Sequence, residues 1–176
     1  MTMDAPAAKP RLYQSASSGE SAAARKLLAY KGVEAEEVEL GEQERQALLA
    51  MAGRAEVPAL ALSPGEVAVG LAAIAGRLEA LFPEPTIFPP GLGGLHRVLA
   101  ACFAQGLACQ LEDLDEALAE RAFLLDRIGF ADFVLYGQLY RLKLSGAAKL
   151  FEELKSLSAF FFRMDRLSSS LADATG

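Results

Sequence analysis

Glu56-Val57-Pro58-Ala59-Leu60-Ala61-Leu62 carries the reading that decides the fold class. The run is short, apolar and bounded by charge, as a buried strand is. It nevertheless holds a proline, which has no N–H to give to a strand ladder, so Pro58 belongs at the strand's opening and needs a reason to be there. Ser63-Pro64-Gly65-Glu66 follows, with proline and glycine at the two central positions of a tight turn. Glu66 to Val69 then returns as the second arm of a hairpin. Upstream, Glu42 to Ala52 reads as a helix stopped by Gly53. Downstream, Gly70 to Phe82 reads as a helix with Leu71, Ile74, Leu78, Leu81 and Phe82 along one face.

Working outward, Arg11 to Gln14 is a strand, followed by a helix over Ser18 to Tyr30. Ser17 and Glu20 have capping-box spacing, and Gly32 sits where a helix stop belongs. In Val33 to Leu40, Val38 and Leu40 alternate with glutamates, the mark of a half-exposed strand at a sheet edge. The order is therefore βαβαββα. Residues 83–94 hold four prolines and three glycines and end this half of the chain. Beyond them the pattern is helical throughout: Leu95 to Cys109, Leu111 to Leu125, Ala131 to Leu144, and one or two helices over Leu150 to Leu167. The expected organisation is a disordered tail over 1–10, an α/β subdomain over 11–82, a linker over 83–94, an all-α subdomain over 95–168 and a frayed tail over 169–176.

With 176 residues, 52% of them hydrophobic, the chain can bury a core. A net charge of −6 argues against a surface devoted to nucleic acid. No apolar run reaches the roughly 18 residues of a membrane span, and Met1 to Lys9 lacks a signal's apolar core, so a cytoplasmic protein is expected. Cys102 and Cys109 lie on one helical stretch about 10 Å apart, too far for a disulfide. Both read as small buried residues, and with one distant histidine, His96, they make no metal site. His96 itself reads as a surface or linker-packing residue.

Three segments resemble the glutathione-transferase (GST-like) superfamily. Val57-Pro58-Ala59-Leu60 is similar to its "VPxL" strand, where the proline is cis and shapes the floor of the glutathione site. Arg121 to Leu125 with Phe130 to Gly137 is similar to a "yLlgdr-(S/T)xAD-xxxy" segment, in which a capping residue and an Asp lock the start of a buried helix. Asp132 matches that pattern, and Gly129 stands where the Ser or Thr belongs. Leu12-Tyr13 followed by Ser17 and Ser18 is similar to the first strand and catalytic turn. The resemblance implies a thioredoxin-like βαβαββα subdomain followed by a short helical one.

It also implies a way to judge activity. Ser18 falls at the position of the catalytic hydroxyl, with Tyr13 or Ser17 as substitutes, and Val57 supplies the backbone that pairs with the cysteinyl group. The Glu-Ser pair that holds the γ-glutamyl group is replaced by Gly70-Leu71. Two lost polar contacts weaken glutathione binding by about a hundredfold. Ser17 and Ser18 are also ordinary helix caps, and the short helical half predicts a shallow or absent pocket for a second substrate.

Gly70 to Leu78 and Ser156 to Met164 are similar to helices of the non-catalytic members attached to aminoacyl-tRNA synthetases, multi-synthetase auxiliary proteins and elongation factor subunits. The family's Arg-Trp in the second helix is Ala159-Phe160 here. The leading expectation is a scaffold without cofactor, docking other GST-like domains as homodimer or heterodimer. Its interface residues would be Glu42, Arg45, Leu49, Phe160, Phe161, Arg163 and Arg166. The alternative is a divergent, glutathione-dependent transferase or isomerase using Ser18. Weak tRNA contact through the C-terminal basic rim is a third possibility.

Overall fold

The computed structural model describes residues 9–63, 65–106, 111–147, 149 and 153–167. The elements run β1 (Arg11–Gln14), α1 (Gly19–Tyr30), β2 (Glu36–Glu39), α2 (Glu42–Ala52), β3 (Ala59–Ser63), β4 (Glu66–Val69) and α3 (Leu71–Leu81). Then follow α4 (Gly93–Ala104), α5 (Leu111–Ala117), α6 (Phe130–Leu144) and α7 (Lys155–Asp165). The sheet is four-stranded with order β2-β1-β3-β4. β1 is parallel to β2 and antiparallel to β3, which pairs antiparallel with β4. The acidic strand β2 is thus an edge, where its exposed glutamates stay in water.

Strand alternation divides the core into two layers. Leu12 and Leu60 face each other across β1 and β3 and join the cluster that contains α1, α3 and α6. Tyr13 and its partner Ala59 point the other way, to Leu48 of α2 and Val69.

α1 packs most extensively on α6. The two cross backbone on backbone. A Cβ at Gly19 would lie 2.1 Å from the Gly137 carbonyl oxygen, and one at Gly137 would lie 2.6 Å from the Gly19 oxygen. Glycine is required at both positions because no side-chain atom fits between the helices. The first residue of α1 is thereby pinned to the middle of the buried helix α6.

A second tie holds the linker. Lys31 follows α1 with its side chain fully buried, and Nζ donates to Glu79 Oε2 at 2.5 Å and to the Phe82 carbonyl at 2.7 Å. Glu79, on α3, also accepts from the Thr86 hydroxyl and, at 3.1 Å, from the Ile87 N–H. Ile87 is fully buried, and its carbonyl accepts from the Phe130 N–H at 2.8 Å. Burial pushes the Glu79 carboxyl up, but Lys31, Thr86 and the Ile87 N–H together hold it below the usual carboxylate range.

The start of α6 is built around Asp132. Its fully buried carboxylate accepts from the Gly129 N–H at 2.8 Å and the Leu124 N–H at 2.9 Å. Burial pushes this carboxyl up to about 7 against the pull of those backbone donors. His96 explains Gly129. The histidine is fully buried, not at the surface, and a Cβ at Gly129 would meet its ring at 2.2 Å. The imidazole fills the space that a capping side chain would need.

Several expected boundaries shift. The N-cap of α1 is Ser18, whose side chain accepts from the Ser21 N–H, and not Ser17. α5 ends at Ala117 instead of Leu125, because Leu124 gives its N–H to Asp132 and the chain from Leu118 turns back. Cys102 is exposed instead of buried. Cys109, Pro64 of the expected turn, the helix start at Leu150, and the tails over 1–8 and 169–176 lie outside the described residues.

Three substitutions test the stability of this arrangement. Gly137→Ala forces α1 and α6 apart and is expected to cost about 3 kcal/mol in urea unfolding. Gly76→Ala on α3, where a Cβ meets nothing within 4 Å, is expected to gain about 0.5–1 kcal/mol. Lys31→Met strands Glu79 and is expected to cost about 3 kcal/mol near neutral pH. Because the Glu79 carboxyl is depressed, its stabilisation is present above the ordinary Glu value of about 4.3 and is lost as pH falls through the lower folded value. The variant should therefore lose less stability than the wild type between neutral pH and strong acid.

Candidate functional site

The first component is the turn before α1. Ser18 Oγ accepts from the Ser21 N–H at 3.1 Å, while the Ser18 N–H donates to the Ser15 carbonyl at 3.0 Å. The Ser15 N–H is held by Ser21 Oγ at 3.2 Å. Capping uses Ser18 as an acceptor and leaves its own O–H proton to donate. The hydroxyl stands at the positive end of α1, where negative charge is favoured. Ser17 is exposed, with its hydroxyl 3.1 Å from Ser15 Oγ.

The second component is the opening of β3. The Val57-Pro58 peptide is cis. The Pro58 carbonyl accepts from the Gly70 N–H at 2.8 Å, which ties this peptide to the start of α3. Among the described residues, the backbone groups of Val57 meet no protein partner.

The third component is the N-terminus of α3. Gly70 takes φ +89°, a left-handed conformation that glycine adopts without strain, and provides no side-chain cap. Leu71 turns into the core. The Arg54 guanidinium, from the turn before β3, approaches the Val69 carbonyl at 3.5 Å and brings positive charge to this corner.

Beside these segments, between the sheet half and the helical half, lies a cavity of about 570 Å³. Its walls are Val69 to Ala73, then Ala100, Ala101 and Ala104 of α4, and Phe130, Val134 and Gly137 of α6. Three polar side chains reach it: Glu20 of α1, Arg97 of α4 and Gln138 of α6. A pocket is therefore present where the short helical half suggests a shallow or absent one. The run of alanines on α4 keeps that wall thin, and the Gly19–Gly137 crossing brings α6 to the mouth. Among the described residues, no cluster of His, Cys, Asp and Glu could hold a metal ion, and no helix is long and apolar enough to cross a membrane.

Residues 12–86 match the family described as glutathione S-transferase, N-terminal domain. The chain has a glutathione S-transferase-like fold. It is similar to a solved glutathione S-transferase from Rhodospirillum rubrum F11, at TM-score 0.78 and 21% identity, covering 93% of this chain and 91% of that one. It is likewise similar to a beta-etherase from Sphingobium sp. strain SYK-6, at TM-score 0.75 and 18% identity, covering 96% of this chain and 100% of that one. A maleylacetoacetate isomerase from Anaeromyxobacter dehalogenans 2CP-1, solved with dicarboxyethyl glutathione and citrate in its active site, matches at TM-score 0.67 and 22% identity, covering 95% and 94% of the two chains. No curated protein sequence matches the chain.

Within this GST-like fold the candidate residues separate. Ser18 precedes Glu20 of the cleft wall by two residues, and the Pro58 carbonyl is bonded to the Gly70 N–H at the cleft, but Ser18, Val57 and Pro58 are not themselves among the residues that line it. Tyr13 points away: strand alternation puts its side chain in the layer under α2, with 5% exposure. Of the interface candidates, Phe160 and Phe161 are core residues at 0% and 1% exposure, and Phe162 faces outward instead. Glu42, Arg45 and Leu49 are exposed on α2, and Arg163 and Arg166 are exposed at the end of α7, where Arg163 also donates to the Ala122 carbonyl. Arg54, Arg97 and Gln138 escaped the sequence reading, and Glu20 reads there only as a capping-box residue. Each looks like an ordinary polar residue on a helix or turn until the two halves are brought together.

Proposed function

We propose that the protein is a glutathione-dependent transferase or isomerase, and that the cleft beside α3 receives the thiol and its partner. The cleft carries the reading. A cavity of about 570 Å³ with an apolar wall, lined by the α3 N-terminus to which the Pro58 carbonyl is bonded and by Glu20, two residues after Ser18, is what a small-molecule site needs.

In this reading the Val57 N–H and C=O pair with the cysteinyl unit of glutathione, as an added strand would. The Ser18 O–H donates to the thiol sulfur. A donated hydrogen bond and the positive end of α1 both favour the thiolate and lower the thiol's pKa, which makes the nucleophile available near neutrality. The thiol's proton passes to solvent, and the thiolate sulfur forms a C–S bond to an electrophilic carbon of a ligand in the apolar part of the cleft as a leaving group departs with its bonding pair, or as a C=C π pair is displaced and takes up a proton. With Gly70 and Leu71 offering no side-chain contact, the γ-glutamyl group relies on α3 backbone N–H groups and the charge of Arg54. Affinity for glutathione is correspondingly low.

One observation favours a second reading, a non-catalytic interaction module of the kind that scaffolds translation assemblies: Leu71 is buried where a glutathione site wants a polar group. Its docking face would be the exposed side of α2, with Glu42, Arg45 and Leu49.

Calorimetry separates the two. Saturable glutathione binding in the millimolar range is expected, and its absence there favours the module. Ser18→Gly is the informative variant, since glycine caps a helix within a few tenths of a kcal/mol of serine. It is expected to keep the melting temperature while lowering turnover of a model electrophile by about a hundredfold. Unchanged turnover would remove Ser18 from the chemistry.

A further inference from the structure

We propose that a second cavity, at the far end of α1, binds an organic ammonium ion, with Glu84 and Asp126 supplying the countercharge and the Tyr30 hydroxyl accepting a hydrogen bond from the ammonium. The cavity holds about 360 Å³ and lies between the end of α1, the proline-rich linker and the turn that leads into α6. Tyr30 ends α1 and Ser18 caps its start, so the length of the helix, about 16 Å, separates this cavity from the Ser18 turn. Pro85, Pro89, Phe123 and Ile128 give it an apolar floor, suited to a ring or a short chain.

Tyr30 is the residue that points to a ligand. It is 5% exposed and its ring packs on Phe133, yet it lines the cavity, and among the described residues its hydroxyl meets no hydrogen-bond partner. A polar atom left unpaired at a buried residue is costly, and a bound donor relieves that cost. The surrounding charges set the sign of the donor. Burial, and then the carboxylates of Glu79, Glu84 and Asp132, push the Tyr30 phenol up to about 12, so the hydroxyl stays neutral and stands in a negative field. Glu79 is committed to Lys31, and Asp132 to backbone N–H groups. Glu84 and Asp126 have no ion-pair or hydrogen-bond partner among the described residues, and neither has Arg127, the one base of the lining. Two free carboxylates against one free guanidinium leave the cavity negative, which favours a cation with an apolar body.

The chain has no tryptophan, so an indole ligand can be followed by its own fluorescence. Tryptamine carries the ammonium, and tryptophol has a hydroxyl in its place. In anisotropy titrations of the full chain, tryptamine is expected to saturate in the millimolar range and tryptophol to bind about tenfold more weakly. Glu84→Gln and Asp126→Asn should each weaken tryptamine about threefold and leave tryptophol unchanged, and Tyr30→Phe should weaken tryptamine by a similar factor. Arg127→Gln removes a like charge and should tighten tryptamine. Glu84 and Asp126 are exposed, so their variants fold and decide the outcome even where Tyr30→Phe disturbs the core. Tryptophol binding as tightly as tryptamine, or tryptamine binding unchanged by both carboxylate variants, would overturn the proposal, as would failure of tryptamine to saturate.

Discussion

The contact between Gly19 and Gly137 is the constraint on which the rest depends. Two helices from opposite halves of the chain touch through their backbones, closer than any other residue type allows. The contact falls at the first residue of α1, immediately after the Ser18 cap, so the position of the Ser18 hydroxyl is set by α6 as much as by β1. One residue further along α6, Gln138 reaches the cleft; one residue further along α1, so does Glu20. The joint between the halves and the candidate site are built from the same residues.

The second organising element is the buried cluster of Lys31, Glu79, Thr86 and Ile87. A buried ammonium is tolerated because it finds both a carboxylate and a carbonyl oxygen. Its consequence is geometric. Glu79 holds the proline-rich segment against α3, and that segment presents Ile87 to α6 and Phe88 to Arg97. A linker that was free to swing would leave the far wall of the cleft undefined. Composition alone indicates a break at residues 83–94; the ion pair turns that break into a fixed joint.

Much of the fold is legible in the sequence because it depends on local rules. The proline opening β3, the Gly53 stop, the periodicity of α3 and the Asp132 lock each act within a few residues, and together they give the order of the elements. The errors have non-local causes. Tyr13 reads as a candidate because it neighbours the turn, yet period-two alternation sends it beneath α2. Phe160 and Phe161 read as interface because three adjacent aromatics cannot share one helix face; α7 buries two of them and exposes Phe162. His96 had no evident partner, since its partner is the missing side chain of Gly129. The cleft was illegible for the same reason. It is made by alanines on α4 and a glycine on α6, whose contribution is the volume they leave empty.

The central claim is that this cleft turns a bound thiol into a thiolate through Ser18. The most direct test follows the ultraviolet absorbance of the glutathione thiolate as a function of pH, with the protein in excess, for the wild type and Ser18→Gly. The account predicts that the bound thiol ionises well below its solution pH in the wild type and reverts toward the solution value in the variant. A bound thiol that ionises at its solution value in both proteins would contradict it.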